Sequence, residues 1–463
     1  MIDIELLSNG IRVLASGGAS SGSSDWVRPS DWTALPTDAA NTIVLTAGVW
    51  DNDSNFCALN VTLSTGTYSV DWGDGTSSTG VASGANAEHQ YTYADGDLSA
   101  ATTEGFKVAI ITVTTSGGNI TNFNLSTKHT QSGLGSYSQP WLDARINAPS
   151  ATAMTIRGSS QECRLLRYIN FTAIGGLTTL ANAFYNCSAL QSVSFPSGSL
   201  ASVTTLASAF YSCSALQSVS FPSGSLASVT TLASAFLNCF SIESVSFPSG
   251  SLAGVTTLAY AFYSCPALQS VSFPSGSLAS VTILDSAFLG CYSLRSVSFP
   301  SGSLASVTTL ANAFQSCFSI ESVSFPSGSL AGVTTLASAF LNCSALQSVS
   351  FPSGSLASVT TLANAFQGCY SLRSVSFPSG WNPTGLTTTT NVFTSSTSLA
   401  NVDNCAIPVS FSVASSNLGP DALDEIYTSL PTVSNQTITV TNNWGTASDD
   451  PTIATAKGWT VTS

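Results

Sequence analysis

The sequence predicts a β-rich multidomain chain: an N-terminal β-sandwich, a long solenoid of 26-residue coils, and an α/β C-terminal cap. Three observations carry this prediction. Cys187, Cys213, Cys239, Cys265, Cys291, Cys317, Cys343 and Cys369 stand 26 residues apart, and everything around them repeats. Within each unit the apolar period switches from helical to strand-like. Ahead of the repeat, short alternating runs are separated by Gly- and Asp-rich turns, the pattern of an antiparallel sandwich.

Residues 1–24 read as an arm ending in Gly17-Gly18-Ala-Ser-Ser-Gly-Ser-Ser, a flexible linker by composition. Ile2, Ile4, Leu6 and Leu7 in that arm are candidates to pair onto a partner as a strand, with a frayed tail as the alternative. Residues 25–118 read as the sandwich. Trp26 and Trp32 open it and join the arm as candidate docking residues. Thr67–Val70 reads as a strand, Asp71-Trp-Gly-Asp-Gly-Thr as a tight turn, and Phe106–Val113 as a second strand. Residues 119–160 are expected to connect the sandwich to the solenoid and shield its first coil.

Residues 161–405 hold about ten units. In the unit at 200–225, Leu206, Ala209, Phe210 and Cys213 fall at i, i+3, i+4 and i+7, one face of a short helix or 3₁₀ segment. Leu216, Val219 and Phe221 follow with strand-like alternation, and Pro222 ends the strand because it has no N–H to donate. A unit this small cannot bury its apolar set alone, so it must stack on its neighbours. Ten coils at a strand spacing of about 4.8 Å would make a rod roughly 50 Å long. Residues 406–463 read as helix, strand, short helix and final strand, closing the open end of the stack.

Composition narrows the function. Only 8% of the 463 residues are charged, and 11 Lys and Arg face 24 Asp and Glu. Surfaces that bind nucleic acid need clustered cations, so that class is disfavoured. Mean hydropathy is +0.29, yet no run of about 20 apolar residues exists to span a membrane. The acidic N-terminus lacks the pattern of a secretory signal, so the chain is expected to fold in a cytoplasm with reduced thiols. Identical inward positions hold the repeated cysteines side by side, which suits small buried thiols better than disulfides. No His or carboxylate recurs beside them to complete a metal site.

Two surface columns carry the variation. Four residues after Cys the chain reads Gln191, Gln217, Glu243, Gln269, Arg295, Glu321, Gln347 and Arg373. Just after Cys, Ser alternates with Phe240, Tyr292, Phe318 and Tyr370. Glu243 returns as Glu321, Arg295 as Arg373, Gly254 as Gly332 and Tyr292 as Tyr370, so a block of three coils has been copied. These columns are the candidate binding residues of the solenoid. Between 170 and 400 the only charges are Glu243, Asp285, Arg295, Glu321 and Arg373. A neutral surface of this kind suits a polysaccharide and suits an inert spacer equally. Glycoside hydrolysis needs two carboxylates about 5–10 Å apart, whereas these lie in different coils. No catalytic residues are assigned.

The recurrent A-F-x-x-C-x-x-L-x-x-V-x-F-P core resembles leucine-rich repeats of the BspA type over about 160–405. That resemblance implies a leucine-rich-repeat solenoid with a binding or adhesive surface and no catalysis. Tyr68-Ser-Val-Asp-Trp-Gly-Asp-Gly-Thr with His89-Gln-Tyr-Thr-Tyr is similar to PKD domains, which are Ig-like sandwiches used as spacers or adhesive modules. Asp-rich turns of this sort sometimes bind calcium, and Asp51, Asp53 and Asn55 offer further oxygens. Ordinary turn hydrogen bonding is the competing explanation, and no cofactor is assigned.

Trp26-Val-Arg-Pro-Ser-Asp-Trp ahead of the Trp-Gly-Asp-Gly domain and the repeats resembles virion surface proteins of tailed bacteriophages. That resemblance implies a head, neck or tail fibre or decoration protein on the virion surface. Its N-terminal region would bind other virion proteins and its solenoid a host receptor, a polysaccharide among the candidates. The alternatives are a bacterial surface adhesin of the BspA sort and a passive, capsid-stabilising spacer.

Overall fold

The computed structural model describes residues 26–52, 55–130, 140–157 and 163–463. Nine strands precede the coils: β1 (Thr42–Val49), β2 (Phe56–Leu63), β3 (Thr67–Asp71), β4 (Ser77–Ala82), β5 (Asn86–Gln90), β6 (Lys107–Ser116), β7 (Ile120–Asn124), β8 (Trp141–Ala148) and β9 (Ala153–Thr155). They form two sheets, ordered β8-β1-β6-β3-β4 and β5-β2-β7-β9. Ile43, Leu45, Val70, Ile111 and Val113 of the first sheet share one buried core with Leu59, Val61 and Phe123 of the second. Phe106 lies just ahead of β6, and its ring joins a separate cluster with Trp32, Val108 and Leu142. The β-rich unit runs on past residue 118, because β7, β8 and β9 belong to its sheets.

Strand β8 is the joint. It pairs antiparallel with β1 on one side and parallel with β10 (Tyr168–Ile174) on the other. The first sheet therefore continues into the solenoid without a break. Eight three-residue Ser-Val-Ser strands follow, β11 (Ser192–Ser194) to β18 (Ser374–Ser376), and then β19 (Asn401–Asp403), all parallel and in register. In each, Val turns inward and the two Ser turn outward, so the strand buries one side chain and displays two.

The helical segment expected at Leu206–Cys213 is absent, and the hydrogen bonds show why. The N–H groups of Ala209, Tyr211 and Cys213 close turns onto Leu206, Ser208 and Phe210, at 3.0–3.2 Å. The alternate N–H groups of Ser208, Phe210 and Ser212 leave the coil and donate to Ala233, Ala235 and Leu237 of the next, at 2.7–2.9 Å. Ser208 and Ser212 take φ of 52° and 56°, which turns the intervening peptide planes along the stack. Asn182, Asn238, Asn312, Gly290 and Gly368 take such angles in other coils, and Asn and Gly tolerate the left-handed region best. An α-helix would keep those N–H groups to itself; the coil gives them to its neighbour. The i, i+3, i+4, i+7 spacing of the apolar residues is met by successive tight turns.

Two stacked phenylalanine columns fill the core. One runs from Phe184 to Phe393 with steps of 5.1–5.6 Å. The other runs from Phe221 to Phe377 with steps of 5.8–6.2 Å and ends on Trp381, 4.3 Å from Phe377. The repeated cysteines lie beside the first column as buried thiols. Each thiol from Cys213 to Cys369 donates to the carbonyl of the Phe in the preceding coil, at 3.0–3.1 Å. Ser396, which takes the Cys position in the last coil, does the same to Phe366 at 2.7 Å.

After the coils come β20 (Phe411–Ser412), α1 (Pro420–Ser429), β21 (Gln436–Thr439), a 3₁₀ turn at Trp444–Ala447, α2 (Thr452–Thr455) and β22 (Trp459–Thr462). β20, β21 and β22 make a separate parallel sheet, and α1 packs against β19.

The thiol ladder gives two expected outcomes. Cys265→Ala removes a donor from Phe236 and opens a small void, lowering stability by about 1–2 kcal/mol. Cys265→Ser, following Ser396, loses less than half of that in chemical denaturation. Burial also pushes the Cys265 and Cys369 thiols up to about 12 from an ordinary value of 9.0. Unfolded thiols ionise first, so this stabilisation is complete below pH 9 and is lost as pH rises from 9 towards 12. Tm should fall across that window, and the fall should flatten when all eight repeated cysteines are replaced by Ser.

Candidate functional site

The strand side of the solenoid builds its surface from backbone register. Gln269, Arg295, Glu321, Gln347 and Arg373 each donate a backbone N–H to the equivalent residue one coil earlier, at 2.8–3.4 Å. The side chains of Glu243, Gln269, Arg295, Glu321, Gln347 and Arg373 therefore form one exposed column, which Gln217 extends toward the N-terminus. Among the described residues, Glu243, Arg295, Glu321 and Arg373 make no ion pair. The sequence-predicted charges stand ready for an external partner.

The second column lies three residues upstream. Phe240, Tyr292, Phe318 and Tyr370 are 49%, 48%, 43% and 55% exposed, although most aromatic rings of the chain are buried. Backbone bonds from the following residue fix each position: Ser293 donates to Pro266 and Ser319 to Tyr292, at 3.1 and 3.2 Å. Tyr292 and Phe318 stack with centroids 5.0 Å apart, and the half-buried Pro266 bridges the coil between Phe240 and Tyr292. The two predicted columns thus run side by side, with small serines of the strands beside them. The arrangement offers flat apolar faces, amides and single charges at fixed intervals. It brings no nucleophile, base or paired carboxylates together.

Two features were not foreseen in the sequence. Exposed Tyr260 and Ile283 flank the half-buried Asp285 on the turn side, where the Asp285 carboxylate raises the pKa of the Tyr260 hydroxyl. An open groove of about 740 Å³ lies between the last coil and the C-terminal sheet, lined by Thr387–Thr390, Ser410 and Thr437. Its lining contains no titratable side chain.

The N-terminal candidates fare differently. Ile2, Ile4, Leu6 and Leu7 lie outside the described residues. Trp32 is not a docking side chain: it is buried against Phe106, Val108 and Leu142, with the Arg28 and Arg167 guanidiniums over its ring. Trp26 stacks on Tyr168 of β10 at 4.9 Å, and Arg28 pairs with the buried Asp143 of β8. These side chains fasten the 26–36 segment across the β8–β10 joint, a use that their aromatic content alone could not distinguish from docking.

The Trp-Gly-Asp-Gly turn is held by its own hydrogen bonds. Asp74 Oδ1 accepts from the Thr76 N–H and hydroxyl, at 3.1 and 2.6 Å, and Oδ2 lies 2.6 Å from His89 Nε2. His89 stacks on Trp72, and Tyr91 donates its hydroxyl to the Trp72 carbonyl. Asp71 accepts from Gly73, while Asn55 bonds to Trp50 and Asn52. Oxygens of Asp71, Asp74 and Asn55 are thus engaged internally. Asp53 lies outside the described residues, and no group of three metal-binding side chains occurs among the described ones.

The pattern described as BspA type Leucine rich repeat region matches this chain in six copies, over residues 146–258 and 255–400. The chain belongs to the BspA-type leucine-rich repeat family. No curated protein matches it as a relative. Among solved structures, it is similar to a leucine-rich repeat protein from Bacteroides ovatus ATCC 8483, at 18% identity over 69% of this chain and 89% of that one, with a TM-score of 0.37. A leucine rich cell surface protein from Faecalibacterium prausnitzii A2-165 matches at 24% identity over 57% and 78%, with a TM-score of 0.28. The T. pallidum leucine-rich repeat protein TpLRR matches at 22% over 45% and 68%, with a TM-score of 0.19. The assignment of this BspA-type solenoid rests on the family pattern and on the coils themselves.

The His89 cluster makes the acid response predictable. Burial pushes the Asp74 carboxyl up, but the Thr76 and His89 hydrogen bonds outweigh it and hold it below the ordinary 3.8. Its contribution is therefore present above that value and lost as pH falls through the folded-state value. Asp74→Asn should lower the midpoint of unfolding followed by tryptophan fluorescence at neutral pH. The difference from wild type should shrink as both are acidified below pH 4.

Proposed function

We propose that this chain is a non-enzymatic adhesive display protein whose BspA-type solenoid presents the two strand-side columns to a surface. The observation that carries this is the row of half-exposed rings, Phe240, Tyr292, Phe318 and Tyr370, on coils whose two phenylalanine columns are buried. Apolar residues left on a fixed scaffold mark interaction sites. Aromatic faces flanked by Gln217, Gln269 and Gln347 suit a neutral, hydroxyl-rich target such as a polysaccharide. The scarcity of charge favours such a target over anionic ones.

Family membership supports surface adhesion by a bacterial protein. A second reading, carriage on a tailed-bacteriophage virion with binding to a host surface, is favoured by one specific feature. That feature is the Trp26-Val-Arg-Pro-Ser-Asp-Trp segment ahead of the Trp-Gly-Asp-Gly turn, which resembles virion surface proteins. Both place the same solenoid face outward, and they differ in what holds the N-terminal unit. In either setting residues 406–463 would close the far end of the stack. The N-terminal unit would serve as an Ig-like spacer of the PKD kind.

The function is tested with the full chain on beads, scored against arrays of neutral and charged glycans and against intact cells. Replacing Phe240, Tyr292, Phe318 and Tyr370 together with Ser should leave Tm unchanged and reduce retention at least tenfold. Equal retention of the variant would remove these columns from adhesion. Immunogold labelling of cells and of particles then separates the two carriers.

A further inference from the structure

The charged column is its own complement when reversed. Read along the stack it is Glu243, Gln269, Arg295, Glu321, Gln347, Arg373, or negative, neutral, positive, twice over. Laid antiparallel against itself, Glu243 meets Arg373, Gln269 meets Gln347 and Arg295 meets Glu321, and the other three pairs follow by symmetry. No parallel register matches all six positions: in register like charges meet, and a shift of one or two coils leaves charges facing glutamines beside one or two complementary pairs. The aromatic column obeys the same reversal, for Phe240 meets Tyr370 and Tyr292 meets Phe318. When all six coils are paired, both columns share one two-fold axis, between the coils of Cys291 and Cys317.

We infer that this face binds a second copy of the same chain, antiparallel and coil against coil. An isologous contact of this kind needs a self-complementary patch, and a two-fold axis parallel to the strands reverses the rod and sets each column against itself. All six side chains are exposed, and among the described residues the four charges make no ion pair, so the pairing groups are free in the single chain. The serines of β11–β18 are small enough to let the two rods approach.

The copied blocks differ on the turn side, as at Ser234 and Asn312 or Asp285 and Ala363, and in the aromatic column at Pro266 and Ser344, whereas the charged column is repeated unchanged.

This deepens the adhesive function by naming one partner of the face, and it rests on the same columns. Antiparallel pairing puts the two N-terminal units at opposite ends, as chains held on facing surfaces require.

Sedimentation of the full chain over a concentration series provides the test. Wild type should form dimers. Glu243→Arg with Glu321→Arg makes the column wholly positive, and Arg295→Glu with Arg373→Glu makes it wholly negative. Each variant alone should associate at least tenfold more weakly, and an equimolar mixture should recover dimers. Oxidation should cross-link a mixture of Gln269→Cys and Gln347→Cys chains, but neither chain with itself. A monomeric wild type, or variants that dimerise like wild type, would overturn the inference. Because this is read in solution without cells or glycans, dimers that fail to adhere would count against adhesion alone.

Discussion

Alternate N–H groups on the turn side of each coil are donated to the next coil, and the rest of the structure depends on that. Phe210 reaching Ala235 sets the rise, and the rise sets the phenylalanine steps, the thiol-to-carbonyl bonds and the surface columns. A coil has no hydrogen-bonded helix and only three strand residues of its own, so little of it would persist alone. Cysteine suits the slot beside the ring because it is small, apolar and still able to donate to a carbonyl. The same burial that makes it useful keeps the thiol protonated and unreactive in the folded state.

Much of this was legible in the sequence, and what was not has physical causes. The 26-residue period, the inward Val of Ser-Val-Ser and the buried thiols follow from repetition and residue size. The exposed columns follow from the same repetition, since identical surroundings hold different side chains at Gln269 and Arg295. The turn segment was misread as helical because apolar spacing reports which side chains face inward and not where N–H groups point. Ser208 and Ser212 in the left-handed region decided that, and Ser carries a weaker signal for it than Asn or Gly. The role of β8 was hidden because a strand shared between two units looks the same as one that ends a sheet. Trp32 was read as a docking residue since a tryptophan beside a proline suits a buried anchor as well as an exposed one.

The proposed function follows from rigidity and sparseness. Only five charged residues occupy positions 170–400, so each one placed on the strand side sets direction and register and contributes little general field. The aromatic rings supply apolar area on a scaffold that loses little freedom when a partner docks. Copying three coils doubled both patterns at once, extending a charged triplet that already matches its own reverse from three coils to six. The proposed adhesive face and the proposed self-pairing face would thus be two uses of one geometry.

The central claim is that coil-to-coil register, not any single coil, holds the protein together. Excising one whole unit, residues 226–251, tests it most directly. Removing that unit rejoins Ser225 to Leu252 in the pattern the chain already uses at every junction. The deleted chain should fold in a single cooperative transition with a Tm close to that of wild type, and removal of 13 residues from the same unit should unfold the solenoid. A whole-coil deletion that unfolds, or a half-coil deletion that is tolerated, would contradict the account.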